Sequence, residues 1–215
     1  MNTTDEASLL RQMRVLVLLN AATEASLAPI RVMPFHAFAY LANVLAPVWD
    51  MPAMDGRILK RKGGPFYPDL QRDVDRMVGK GMIVVHGVNH VRDPDGRWRV
   101  DGAYGLHSEL CRAALTYLLG RQDEERVSSF VQELAFALSA LGEGEFDRAL
   151  VEDATYSDPC FSDENVVDFD EWTRQNPSAN AAAYFDHFLP RGTKATPGER
   201  LHLYVRHLHR RIHAH

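Results

Sequence analysis

Residues 55–101 read DGRILKRKGGPFYPDLQRDVDRMVGKGMIVVHGVNHVRDPDGRWRVD, and the choice of fold turns on them. A basic segment carrying Arg57, Lys60, Arg61 and Lys62 leads through Pro65-Phe66-Tyr67-Pro68 into an amphipathic pattern. Its apolar positions Leu70, Val74, Met77 and Val78 fall at i, i+4, i+7 and i+8, so one helix face is core. Gly79 and Gly81 bracket Lys80 and suit a helix that stops on a left-handed residue. Met82 to Val88 is a strand by its shortness and β-branched content, Asp93-Pro-Asp-Gly96 carries turn chemistry, and Arg97 to Asp101 returns as a second strand. A basic approach, a helix and a two-stranded hairpin in that order predict a winged helix.

Working outward, Thr3-Thr-Asp-Glu6 has capping-box spacing and opens a helix on Leu9, Met13, Leu16 and Val17 that ends near Leu27, before Pro29. Pro34 starts a short second helix on Phe35, Phe38, Ala39, Ala42 and Leu45, which Pro47 stops. Beyond Gly102 the pattern turns helical. Ser108 caps a helix on Leu110, Cys111, Ala114, Leu115 and Leu118. Asp123-Glu-Glu125 favours a helix start through the macrodipole, and Val127, Phe130, Val131, Leu134, Ala135, Leu138 and Leu141 form the cleanest apolar stripe in the chain. Residues 145–152 make another short helix, 155–175 an acidic loop, and Asn176-Pro177 opens a helix bearing Tyr184, Phe185 and Phe188. Thr196-Pro-Gly-Glu199 is a second capping box, opening a terminal helix on Leu201, Tyr204, Val205, Leu208 and Ile212. The expected fold is therefore mainly α with a small β wing, α+β in class: a winged helix-turn-helix over 1–104, then a helical half over 105–215.

With 215 residues and 46 % apolar content the chain can bury a real core. Arg11 and Arg14 interrupt the first apolar stretch, so no secretory leader is expected, and no run has the length of a membrane span. Two cysteines, Cys111 and Cys160, argue against a disulfide framework and fit a reducing, cytoplasmic setting. The net charge of −5 hides a segregation. Between Gln122 and Glu171 fifteen acidic residues stand against Arg126 and Arg148, whereas residues 55–101 carry ten Arg or Lys against seven Asp. From Arg191 to His215 there are six Arg or Lys, one Glu and half of the ten histidines. Basic ends flanking an acidic middle fit a surface that meets one polyanion and one basic partner; unevenly charged solvated surface has the same pattern.

For nucleic acid the candidates are Arg57, Lys60, Arg61 and Lys62 before the third helix, Arg72 and Arg76 on it, and Arg92, Arg97 and Arg99 on the wing. Asp69 and Asp73 stand three residues before Arg72 and Arg76 and can pair with them, leaving a near-neutral face where a sequence reader needs unpaired donors. Non-specific contact with double-stranded DNA fits that pattern better than base readout. His202, His209 and His213 lie at i, i+7 and i+11. The last two have the spacing of a helical metal pair, but Arg210 and Arg211 stand between them and no acidic residue does, so no metal is expected. His86 and His90 read as a surface pair on the wing. Asp153, Asp158, Asp163, Glu164, Asp168, Asp170 and Glu171 lack the ligand alternation and central glycine of a calcium loop and read as a solvated loop or a surface for a basic partner. Gly63-Gly64 runs into Pro65-Phe66 rather than the Lys and Ser or Thr of a phosphate loop. No nucleophile elbow or paired-carboxylate motif occurs, so neither enzyme activity nor a cofactor is expected.

The run Gly63-Gly-Pro-Phe-Tyr-Pro-Asp-Leu-Gln-Arg-Asp-Val-Asp-Arg-Met-Val-Gly-Lys-Gly-Met-Ile83, with Arg14-Val-Leu-Val-Leu-Leu19 upstream, resembles the middle components of bacterial three-component ABC-ATPase conflict systems, the grouping that includes Lamassu-type anti-phage defence. The resemblance covers roughly the first half of the chain and carries no catalytic motif. It implies a small, non-catalytic winged-helix subunit that bridges an SMC-like ABC ATPase and a nuclease-type effector near DNA. A more distant likeness is to winged-helix accessory subunits of SMC complexes. A winged-helix transcriptional regulator is the competing expectation, and a metal-dependent enzyme using the terminal histidines a third.

Overall fold

The computed structural model describes residues 3–53, 57–61, 64–92, 96, 98–142, 144–158, 166–168, 176–190 and 192–214, with side chains of 3–5, 57–61 and 166–168 left aside. It is mainly helical with small antiparallel sheets. In chain order come α1 (Thr3–Glu24), β1 (Ile30–Arg31), α2 (Val32–Leu45), a 3-10 turn (Ala46–Trp49), β2 (Arg57–Arg61), β3 (Gly64–Phe66), α3 (Pro68–Gly79), β4 (Ile83–Arg92) and β5 (Trp98–Leu106). Then follow α4 (Ser108–Leu119), α5 (Gln122–Leu138), α6 (Glu145–Val151), β6 (Val166–Asp168), α7 (Pro177–Tyr184), a second 3-10 turn (Phe185–Phe188) and α8 (Pro197–His213).

α3 forms where its period predicts. Leu70, Val74 and Met77 are buried and Val78 half-buried, and Gly81 leaves the helix at φ +72°, a value any Cβ would strain. β4 and β5 then pair from Ile83 opposite Leu106 to Arg92 opposite Trp98, a longer hairpin than the β-branched run alone marked. A bulge between His86 and Asn89 kinks it, with Gly87 at φ +59°. β1 adds to the other side of β5, Ile30 opposite Tyr104, giving the strand order β1-β5-β4.

A second sheet makes strands of the basic segment Arg57–Arg61 and of Gly64–Phe66, which no pattern in the sequence marked. β2 pairs with β3, Lys60 opposite Pro65, and with β6, Arg57 opposite Asp168. Part of the acidic stretch expected to be loop is thus a strand on the basic segment. Smaller differences have local causes. α1 ends at Glu24 rather than near Leu27, because Ser26 takes a left-handed conformation at φ 60°. α2 opens at Val32 with Pro34 inside its first turn, where a missing N–H costs no intrahelical bond. α4 is capped by His107, whose Nδ1 accepts from the Leu110 N–H at 3.4 Å, rather than by Ser108.

The buried side chains form one cluster running from Val15 to Ile212. α2 lies at its centre, with Phe35, Phe38, Leu41 and Leu45 almost wholly enclosed. Its window Val32–Trp49 is long and apolar enough to cross a membrane by length and composition, and 72 % of it is buried inside the protein. The α5 stripe of Phe130, Val131, Leu134, Ala135 and Leu138 turns inward, toward α1 and α8. The position expected to divide the chain, 104/105, falls inside β5, and residues on both sides of it belong to the same cluster.

Candidate functional site

α3 presents its polar face with its charges already satisfied. Arg72 pairs with Asp69 at 2.7 Å, and Arg76 pairs with Asp73 at 3.1 Å while donating to Ser8 Oγ at 2.9 Å. Asp73, read from sequence only as a neutraliser, is fully buried and accepts from Ser8 Oγ and from Arg11 Nε at 2.7 Å. The charges of α3 therefore dock the helix onto α1 before they meet any ligand. Lys80 extends the same seam by donating to Gln12 Oε1 at 3.1 Å.

The wing separates its cations from its apolar surface. Arg99 and Asp101 share one face, where Arg99 donates to Asp101 at 2.9 Å and Arg31 donates to the other carboxylate oxygen. Burial pushes the Asp101 carboxyl up, but these hydrogen bonds and the two positive charges outweigh it and hold it below the usual carboxylate range. The opposite face carries Trp98 and Val100 with their cross-strand partners Arg92 and His90. Trp98 is 68 % exposed, Val88 and Val100 are also open, and Arg92 folds back to donate to the Gly96 carbonyl at 3.1 Å. Of the remaining sequence candidates, Arg57, Lys60 and Arg61 lie on β2 with side chains outside the described residues, and Lys62 and Arg97 lie outside them altogether.

A further apolar surface includes Leu9 and Leu110, which periodicity placed on the apolar stripes of their helices. Leu110, Tyr117 and Leu119 of α4 are exposed, as are Leu9 and Leu10 of α1, which contacts α4. Tyr184 and Phe188, expected to serve a helix face, are likewise open, Phe188 at 74 %.

Two buried polar centres escaped sequence reading. Asp153, expected in a solvated acidic surface, is fully buried and satisfied from several elements. It accepts from Tyr40 Oη and Tyr204 Oη at 2.7 Å each, from Ser178 Oγ at 2.8 Å, and from the N–H groups of Thr155 and Tyr156 at 3.0 and 2.9 Å. Burial and the neighbouring Asp153 charge push the Tyr40 and Tyr204 hydroxyls far up, so both stay donors. Tyr40, Ser178 and Tyr204 are themselves almost wholly enclosed, so the centre ties helices together rather than facing solvent. The second centre is His36. Its Nδ1 accepts the Tyr67 N–H at 3.2 Å, which leaves Nε2 to donate to Gln71 Oε1 at 2.9 Å, and Gln71 donates onward to Tyr104 Oη at 2.9 Å. That relay registers α2, α3 and β5.

The terminal histidines meet an acidic partner that no spacing within α8 could reveal. Glu145, first residue of α6, lies against them, with His213 Nε2 at 2.7 Å from Oε1 and His209 Nε2 at 3.6 Å from Oε2. The Gly142 N–H donates to Oε2 at 2.6 Å, and with His213 it holds the Glu145 carboxyl below its ordinary value. Comparison with known proteins adds no relative to this description: no protein-family description, curated protein or solved structure matches the chain.

Proposed function

We propose that this chain is a non-catalytic winged-helix accessory subunit of an SMC-like ABC-ATPase complex of anti-phage defence, working in the cytoplasm by docking the ATPase and a nuclease-type effector near DNA. The element order α1-β1-α2-α3-β4-β5, with the strand order β1-β5-β4, supports the winged-helix reading, the pair β2 and β3 being an insertion before the third helix. The partners rest on the resemblance carried by residues 63–83 and 14–19.

The observation that carries the docking reading is the pairing on α3. Arg72 and Arg76 are engaged by Asp69 and Asp73, and Asp73 is buried against α1, so the helix that would enter a major groove offers little to base edges. The exposed Trp98 and Val100 offer the wing to a protein surface instead, aromatic anchors being enriched at such contacts. DNA contact in this reading is non-specific and runs through backbone phosphates.

The test is affinity purification of the full chain from its native operon, with mass spectrometry of what accompanies it. A long coiled-coil ATPase is expected, and Trp98→Ala is expected to lower its recovery without lowering the yield of the chain. Purification without any ATPase overturns the proposal. A transcriptional regulator would instead bind its own upstream DNA with clear preference over random duplex and a steep salt dependence.

A further inference from the structure

Glu145, His209 and His213 each offer a ligand atom within 4.8 Å of the other two. We propose that these three side chains form a surface site for a divalent cation of the zinc class, which fastens the last turn of α8 to the start of α6. Two imidazoles and one carboxylate are the donor set that zinc accepts, with a fourth position left to water or to a ligand from another molecule.

The geometry is close to what such an ion requires. Bonds of about 2.0 to 2.2 Å in a tetrahedral arrangement put ligand atoms roughly 3.3 to 3.6 Å apart. The present separations from the two carboxylate oxygens are 2.7 and 3.6 Å, and all three ligand atoms lie within 4.8 Å of one another, so rotation of partly exposed side chains brings them into range. His209 and His213 are four residues apart on one helix face, their ring centroids 4.7 Å from each other. Glu145 is fixed from behind by the Gly142 N–H at 2.6 Å, an outer-shell bond that orients a metal-binding carboxylate.

Of the two arginines that argued against a metal in the sequence, Arg211 is turned to other work. Position 211 lies about 200° around the helix from both His209 and His213. Arg211 is held by Glu152 at 2.7 Å, and Arg148 of α6 donates to the Ile212 carbonyl at 2.7 Å. The end of α8 favours the site too, because its C-terminal carbonyls attract a cation.

The experiment uses the full chain without any added polyhistidine, stripped with chelator and titrated with Zn2+ and with Co2+ as the spectroscopic probe. One Co2+ per chain is expected, with the visible absorption of a four- or five-coordinate ion, and a Tm that rises with Zn2+. Glu145→Gln, His209→Asn and His213→Asn are each expected to weaken Zn2+ binding at least about tenfold, whereas His202→Asn on the same helix leaves it unchanged. In the unaltered chain the ring-proton resonances of two histidines, and no more, are expected to shift on saturation with Zn2+, a readout independent of how the variants fold. Uptake well below one equivalent, or equally tight binding by Glu145→Gln, overturns the site.

Discussion

At the scale of single residues, the protein spends its buried charge on holding elements together. Asp153 satisfies three hydroxyls and two backbone N–H groups. Each donor orphaned by its removal costs about 1 to 3 kcal/mol, so Asp153→Ala should lower stability by at least about 3 kcal/mol in urea unfolding. Tyr40→Phe removes one donor and leaves an acceptor with four others; about 1 kcal/mol is expected, and a loss as large as that of Asp153→Ala would contradict the network. Asp101 sets a pH dependence. Its folded-state value lies below the ordinary one, so the unfolded chain takes up the proton first as pH falls. Its contribution is complete above the unfolded value of about 3.9 and disappears as pH drops through the lower folded value. Asp101→Asn should therefore flatten the fall of the urea midpoint between roughly pH 5 and 2; an unaltered slope would refute the assignment. None of this was legible beforehand. Asp153 and Asp73 sit in charged surroundings in the sequence, and only the arrival of Ser8, Tyr40, Ser178 and Tyr204 from distant positions distinguishes them from solvated acids.

At the scale of elements, the helices were legible and the second sheet was not. α3, α5 and α8 bury most of the positions their periods mark, Val78 and Val127 being half-buried, because a helix face is encoded within a dozen consecutive residues. The capping box of α8 was equally local: the Thr196 N–H donates to Glu199 Oε2 at 2.7 Å, and the Glu199 N–H to Thr196 Oγ1 at 3.3 Å. Thr196→Ala should cost about 1 kcal/mol by thermal or urea unfolding. Leu134→Ala, on the most enclosed stretch of α5, should cost about 2 to 5 kcal/mol. β2 and β6 are short, and the pairing that makes them strands joins Arg57 to Asp168, far apart in the chain. No local pattern encodes that. The metal candidate was missed for the same reason, since its carboxylate belongs to α6 and its imidazoles to α8.

At the scale of the whole molecule, some of the charge that is segregated in the sequence is brought together among the described residues. The backbone of the basic strand β2 is paired with the acidic β6, Arg14 of α1 with Glu124 of α5, and Arg211 of α8 with Glu152. The shared core leads to a definite expectation. Unfolding of the full chain followed by fluorescence and by circular dichroism should give one coincident transition, and residues 1–104 alone, lacking α5 over α1, should lose cooperativity. Two separated transitions would instead indicate independent halves. The carboxylate of Asp153 has one more consequence. Its hydroxyl donors lie 113 positions before it and 51 after it, so the knot cannot close until both have left the ribosome. At about 5 to 20 residues per second, some ten to thirty seconds pass between the making of Tyr40 and that of Tyr204. During this interval the nascent polypeptide carries an open seam, an opportunity for a co-translated neighbour to seize it and for a protease to destroy it.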